Sequence, residues 1–198
     1  MSSNILILQS SYKSLWLVSS NDSERMKMAD EPLLESAAAG KPLETAAAED
    51  GALRHQIERL VREQPYAVLC TQGAGQPYGS LVALAVTEDL SSAVFATPIT
   101  TRKYRLLCDC GHVALVLDSR SRSIEDMMQI EAVTATGRAR QVAPGDEFEH
   151  EAALLLGRHP QLELFVRSPT TALFHVDIIR YFHVTRFQEV RQWTPSGG

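Results

Sequence analysis

Apolar positions in this chain fall first at helical and then at alternating spacing. Leu53, Ile57, Leu60 and Val61 recur with a helical period, Asp50 offers a cap, and Gln64 precedes the helix-ending Pro65, which predicts one amphipathic helix over 51–64. Short β-like runs separated by turn residues follow: 66–71, then QGAGQP, then 78–87, then EDLSS, then 93–97. Spacing this short predicts an antiparallel meander. Thr100 and Thr101 then stand as N-caps for a helix through RKYRLLCDC that Gly111 stops.

The second half continues the pattern with a strand over 112–118, a polar loop SRSRSIED, and a long strand over 128–142. Pro144, Gly145 and Asp146 open a helix whose Phe148, Ala152, Leu155 and Leu156 share a face, and His159 with Pro160 ends it. A short helix over 161–166 precedes two final strands, 171–177 and 179–187. Strands this numerous, with helices inserted and no regular βαβ alternation, predict an antiparallel barrel with helical connections.

Residues 1–50 have another texture, with SSNDSER, ESAAAG and ETAAAEDG and few large apolar side chains, and read as a loosely attached extension before a domain over 51–198. The chain of 198 residues is 44% hydrophobic and carries a net charge of -5, the profile of one ordinary domain with a sizeable core. That acidic balance excludes a whole-protein electrostatic footprint for nucleic acid. No run approaches the roughly 18 apolar residues of a membrane span. The apolar run at 5–8 is brief and has no Lys or Arg before it, so export is not expected, and the odd set Cys70, Cys108 and Cys110 fits reduced thiols in a cytoplasm.

Candidate chemistry concentrates in FATPITTRKY, 95–104. A strand ends, Thr97 and Thr101 offer hydroxyls, and Arg102 with Lys103 opens a helix whose first N–H groups lack acceptors. Such a start attracts anions, and arginine adds a planar fork that grips a phosphate. Adjacent helical residues diverge by about 100°, so both cations serve one phosphate only if the first lies at the strand–helix junction. The bland alternative is a basic pair that merely solubilises a helix start, and for the bare TTRK string that reading is the commoner one. The cysteines lack the paired C-x₂-C spacing of a zinc site and read as buried structural thiols, so no metal is expected. No G-x-S-x-G elbow, P-loop or H-E-x-x-H occurs, which leaves hydrolase and NTPase readings without a foothold.

Taken in order, LVREQPYAVLCT, PYGSLVALAV, VFATPITTRKYRLL, VALVLDSR and ATATGRARQV resemble the flavin-binding split barrels related to pyridoxamine 5'-phosphate oxidase, over roughly 52–190. The resemblance implies a mainly β fold, a six-stranded antiparallel split barrel binding FMN, and a homodimer with the cofactor between subunits. It implies that Thr97, Thr101, Arg102 and Lys103 hold the FMN phosphate, that Ser80, Leu81 and Val82 run along the flavin ring, and that Asp118, Ser119 and Arg120 close over it. The family's G-[RK]-A strand end reads Gly137, Arg138, Ala139. The implied activity is a flavin-dependent oxidoreductase acting on a small molecule, with no side chain assigned a catalytic role, and the alternative is a non-catalytic flavin-binding module that stores or senses its ligand.

Departures from the oxidase proper narrow the substrate. The glutamine expected five residues before the G-[RK]-A glycine is Ala132 here, with Gln129 and Glu131 nearby, and the Arg-Leu-x-Pro-like ending is replaced by Arg191, Gln192, Trp193, Thr194 and Pro195. Phosphorylated vitamin B6 is therefore not the expected substrate. The ending and the His159-Pro160 segment are also similar to the haem-binding and haem-degrading split barrels, which makes haem the alternative cofactor. Haem needs an axial ligand, for which His175 and His183 are available, though a histidine in an apolar strand is more commonly a packing residue. Trp193 reads as a packing or dimer-interface anchor, the alternative being that it covers the flavin.

Overall fold

The computed structural model describes residues 43–120, 127–186 and 189–195. Helix α1 (Leu43–Glu63) runs into Pro65 and buries Leu53, Ile57, Leu60 and Val61, as their spacing predicts. It starts ahead of Asp50, because the alanine-rich stretch before that residue has high helix propensity and continues the helix rather than preceding it. Its last turn is closed from a distance: Arg158 Nη2 donates to the carbonyls of Val61, Arg62 and Gln64 at 2.7, 3.0 and 2.7 Å, where a helix end otherwise leaves acceptors unmet.

The strands are β1 (Tyr66–Gly73), β2 (Gln76–Ala83), β3 (Ala85–Val86), β4 (Ser92–Pro98), β5 (His112–Asp118), β6 (Ala132–Gln141), β7 (Thr171–Thr185) and β8 (Glu189–Trp193). All pair antiparallel in the order β2-β1-β5-β6-β7-β4-β3, with β8 added on β7. The first and last members of that order are one run of chain, 76–86, interrupted at Leu84. The sheet therefore closes on itself as a six-stranded barrel. At the interruption Leu84 N–H donates to Pro65 O at 3.2 Å, and Leu84 O accepts from Nε2 of the buried His159 at 3.1 Å. A histidine that ends a helix thus satisfies the carbonyl that the broken strand frees.

Three further helices connect the strands: α2 (Arg102–Asp109), α3 (Asp146–Arg158) and the single turn α4 (Glu163–Val166). Alternation puts Leu69, Val82, Leu115, Val133 and Phe174 inside the barrel with the buried face of α1. Phe95 and Phe174 stack there with ring centroids 5.4 Å apart, an aromatic pair worth about 1 kcal/mol beyond its burial. On the outer face of β4 and β7, Val94 and Leu173 pack beneath Ala152, Leu155 and Val166 of α3 and α4. Among the described residues no helix is long and apolar enough to cross a membrane.

Four details depart from the sequence reading. The predicted strand 78–87 breaks at Leu84 where it changes partner, and the long strand expected from 128 begins at Ala132, after a 3-10 turn over Met127–Gln129. The two final strands are one, because β7 carries a bulge: Thr136 pairs Arg180 while Gly137 pairs Ile178, so one residue is extra and the alternation slips. A Cβ on Gly137 would stand 2.3 Å from Asp177 O, so this close approach needs glycine. Strand β8 was not expected, since Arg191 and Gln192 interrupt any apolar run.

Candidate functional site

Strand β4 ends at Pro98, and the turn into α2 is built from two threonine hydroxyls. Thr101 Oγ1 accepts from Tyr104 N–H at 3.3 Å as the N-cap and donates to Pro98 O at 2.8 Å. With that proton committed, Thr97 Oγ1 donates to Thr101 Oγ1 at 3.1 Å. Both hydroxyls shape the turn, and Thr97 is fully buried. The turn delivers Arg102 and Lys103 to β2 in different ways. Lys103 Nζ donates to Leu81 O at 2.9 Å, and its desolvation there lowers its proton affinity. Arg102 is exposed and lies with its guanidinium 4.9 Å from the centre of the Tyr78 ring.

Tyr78, Ser80 and Val82 alternate onto one face of β2. Ser80 Oγ is buried without a hydrogen-bond partner. An unmet buried hydroxyl costs about 1–3 kcal/mol, so its place beside the cationic helix start marks where a polar ligand atom would be satisfied. Val82 belongs to the core, whereas Leu81, on the opposite face, is 63% exposed. Tyr78 was missed by sequence reasoning; the signal was its position two residues before Ser80, on the same strand face.

Asp118, Ser119 and Arg120 lie at the end of β5, across β1 from β2. Arg120 folds back on Asp118, with Nε 3.0 Å and backbone N 3.1 Å from Oδ1. Ser119 is buried and faces Glu131. Among the described residues, no hydrogen bond or ion pair joins this segment to Arg102 or Lys103 within one chain.

The two haem-ligand candidates are both engaged. His175 lies under α3 with Nδ1 2.9 Å from Glu151 Oε1 and Nε2 3.2 Å from Asp177 Oδ1. His183 is wholly buried and accepts at Nδ1 from Arg191 Nη2 at 3.3 Å. Desolvation, and then Arg191, push its proton affinity below the ordinary value, against the opposing pull of Glu131. The unfolded chain therefore takes up this proton more readily, and stability should fall as the pH drops below the ordinary value of 6.5. Thermal melts from about pH 7.5 to about pH 5.5 should show wild type losing more than His183→Gln, and parallel losses would refute it. Trp193 packs in the core against Tyr181, ring centroids 5.7 Å apart. Of the thiols, Cys70 and Cys110 are half-buried and Cys108 is exposed, so the expectation of three buried structural thiols is corrected.

A six-stranded antiparallel barrel with one run shared between two strand partners is a split barrel. Residues 53–184, more than half of the chain, match the pyridoxamine 5'-phosphate oxidase family, and the chain belongs to it. No curated protein matches the sequence significantly. Solved structures sharing the fold include a haem-binding protein from Mycobacterium smegmatis, at 16% identity and a TM-score of 0.62, covering 70% of this chain and 56% of that one. A FAD-binding protein from Mesorhizobium loti matches at 13% identity and a TM-score of 0.54, covering 67% and 90%. A Clostridium acetobutylicum protein related to general stress protein 26, of the pyridoxinephosphate oxidase family, matches at 14% and 0.57, covering 73% and 96%. These identities show a shared fold. The chain spans little more than half the length of the haem-binding protein.

Proposed function

We propose that this chain is an FMN-binding flavoprotein that works as a homodimer and transfers electrons to or from a small-molecule substrate. The observation that carries the reading is the cationic start of α2 laid against β2 beside the unpartnered hydroxyl of Ser80. Arg102, Lys103 and the first N–H groups of α2 would hold the phosphate, and Ser80 would meet a polar atom of the ring system. Bound FMN would supply the electron transfer. The chain's part is to grip, orient and shield it. Thr97 and Thr101 fix the turn from which the cations project, and Asp118, Ser119 and Arg120 would approach the cofactor from the second subunit.

A second subunit is supported by the outer face of the sheet. One row of cross-strand partners, Leu81, Val68, Val116, Thr134, Phe182 and Gln192, crosses six strands, and Leu81 is largely exposed while the rest are half-open to solvent. Apolar faces of this extent mark interfaces. The family membership and the FAD-binding neighbour favour a flavin. The haem-binding neighbour keeps haem as the alternative, but His175 and His183 are committed to other partners, which favours the flavin.

The test is the absorption spectrum of the purified protein before and after incubation with FMN. Bands near about 370 and 450 nm that remain after gel filtration support the reading. A Soret band in their place would transfer the site to haem.

A further inference from the structure

We infer that Glu131 is a positioning residue that holds the 118–120 segment in place through a network reaching α1 and β8. This deepens the flavin reading and rests on it. The β5–β6 ladder ends with Asp118 opposite Ala132. Ser119 and Glu131 carry it one pair further, by Ser119 N–H to Glu131 O at 2.9 Å and Glu131 N–H to Ser119 Oγ at 2.9 Å. Asp118 is thereby fixed, and Asp118 in turn fixes the guanidinium of Arg120.

The side chain of Glu131 anchors this clasp. Its Oε2 accepts from Arg59 Nη2 of α1 at 2.6 Å and stands 3.7 Å from Nε2 of His183. Because Nδ1 of His183 accepts from Arg191, Nε2 carries the proton and presents it toward Glu131, too far for a hydrogen bond. Arg191 also donates to Gln56 Oε1, returning the network to α1. Two side chains distant in sequence, Arg59 and His183, thus converge on one carboxylate, and Arg191 ties His183 back to α1. Arg59 is half-exposed and Glu131 about a quarter exposed, so their ion pair adds little to global stability. What it fixes is the local placement of 118–120.

The experiment compares wild type, Glu131→Gln, Arg59→Ala and Arg59→Lys in the full-length protein. The readouts are FMN titration, amide hydrogen exchange at Ser119 and Arg120 without FMN, and the melting temperature. Glu131→Gln and Arg59→Ala should weaken FMN binding by about fivefold and speed exchange at both amides, with the melting temperature held, while Arg59→Lys restores most of the affinity. Unchanged affinity and unchanged exchange in Glu131→Gln would overturn the inference, as would an affinity loss that only follows a lower melting temperature. A wild type that binds no FMN would overturn the flavin reading instead, and faster exchange in Glu131→Gln would then still support the clasp.

Discussion

Replacing Arg102 with Ala is expected to weaken FMN binding by about 1.5–3 kcal/mol, roughly ten- to a hundredfold, and to leave the fold intact. The fold should survive because Arg102 is exposed at the start of α2 and touches the rest of the chain through the Tyr78 ring. Losing that contact costs only about 0.5–1 kcal/mol. The affinity loss is larger because a guanidinium donates two parallel charge-assisted hydrogen bonds to a phosphate, which alanine cannot replace. Arg102→Lys should fall between, keeping the charge and losing the fork. Lys103 does not compensate, since its ammonium, already bonded to Leu81 O, adds a point charge to the same grip and no planar fork. Fluorescence titration with FMN decides the matter. An unchanged affinity in Arg102→Ala would place the phosphate elsewhere.

What was legible in the sequence followed from periodicity. The spacing of Leu53, Ile57, Leu60 and Val61 located α1, the alternation in HVALVLD located β5, and the threonines before Arg102 located the turn into α2. What was not legible depended on partners distant in sequence. The interruption at Leu84 is set by which strand each half of 76–86 pairs with, and by His159 supplying a donor to Leu84 O. The bulge in β7 is visible only against the register of β6, where Gly137 admits Asp177 O. Strand β8 is held by pairing and by Trp193 in the core, neither of which shows in a run containing Arg191 and Gln192. The candidate site divides the same way. Its cations and caps are local and could be read, whereas Tyr78 beneath Arg102 and the unmet hydroxyl of Ser80 emerge only when β2 and α2 meet.

The homodimer reading yields the second large effect. Val116 sits at the middle of the outer row, paired with Val68 on one side and Thr134 on the other, and its side chain is half-open to solvent. Arginine at that position can extend into water in an isolated subunit, so Val116→Arg should fold, with a circular dichroism spectrum like that of wild type. In a two-fold dimer the same position would bury a charge from each chain in an apolar interface, where an unpaired charge costs several kcal/mol. The dimer's dissociation constant should therefore rise by at least about a thousandfold, enough to give a monomer at micromolar concentration. FMN binding should fall with it, because 118–120 would reach the cofactor from the other subunit. Sedimentation velocity with in-line absorbance reads both quantities in one run. A Val116→Arg monomer that binds FMN at full stoichiometry would show that one chain suffices for the site, and a wild type that sediments as a monomer would remove the interface from the outer face of the sheet.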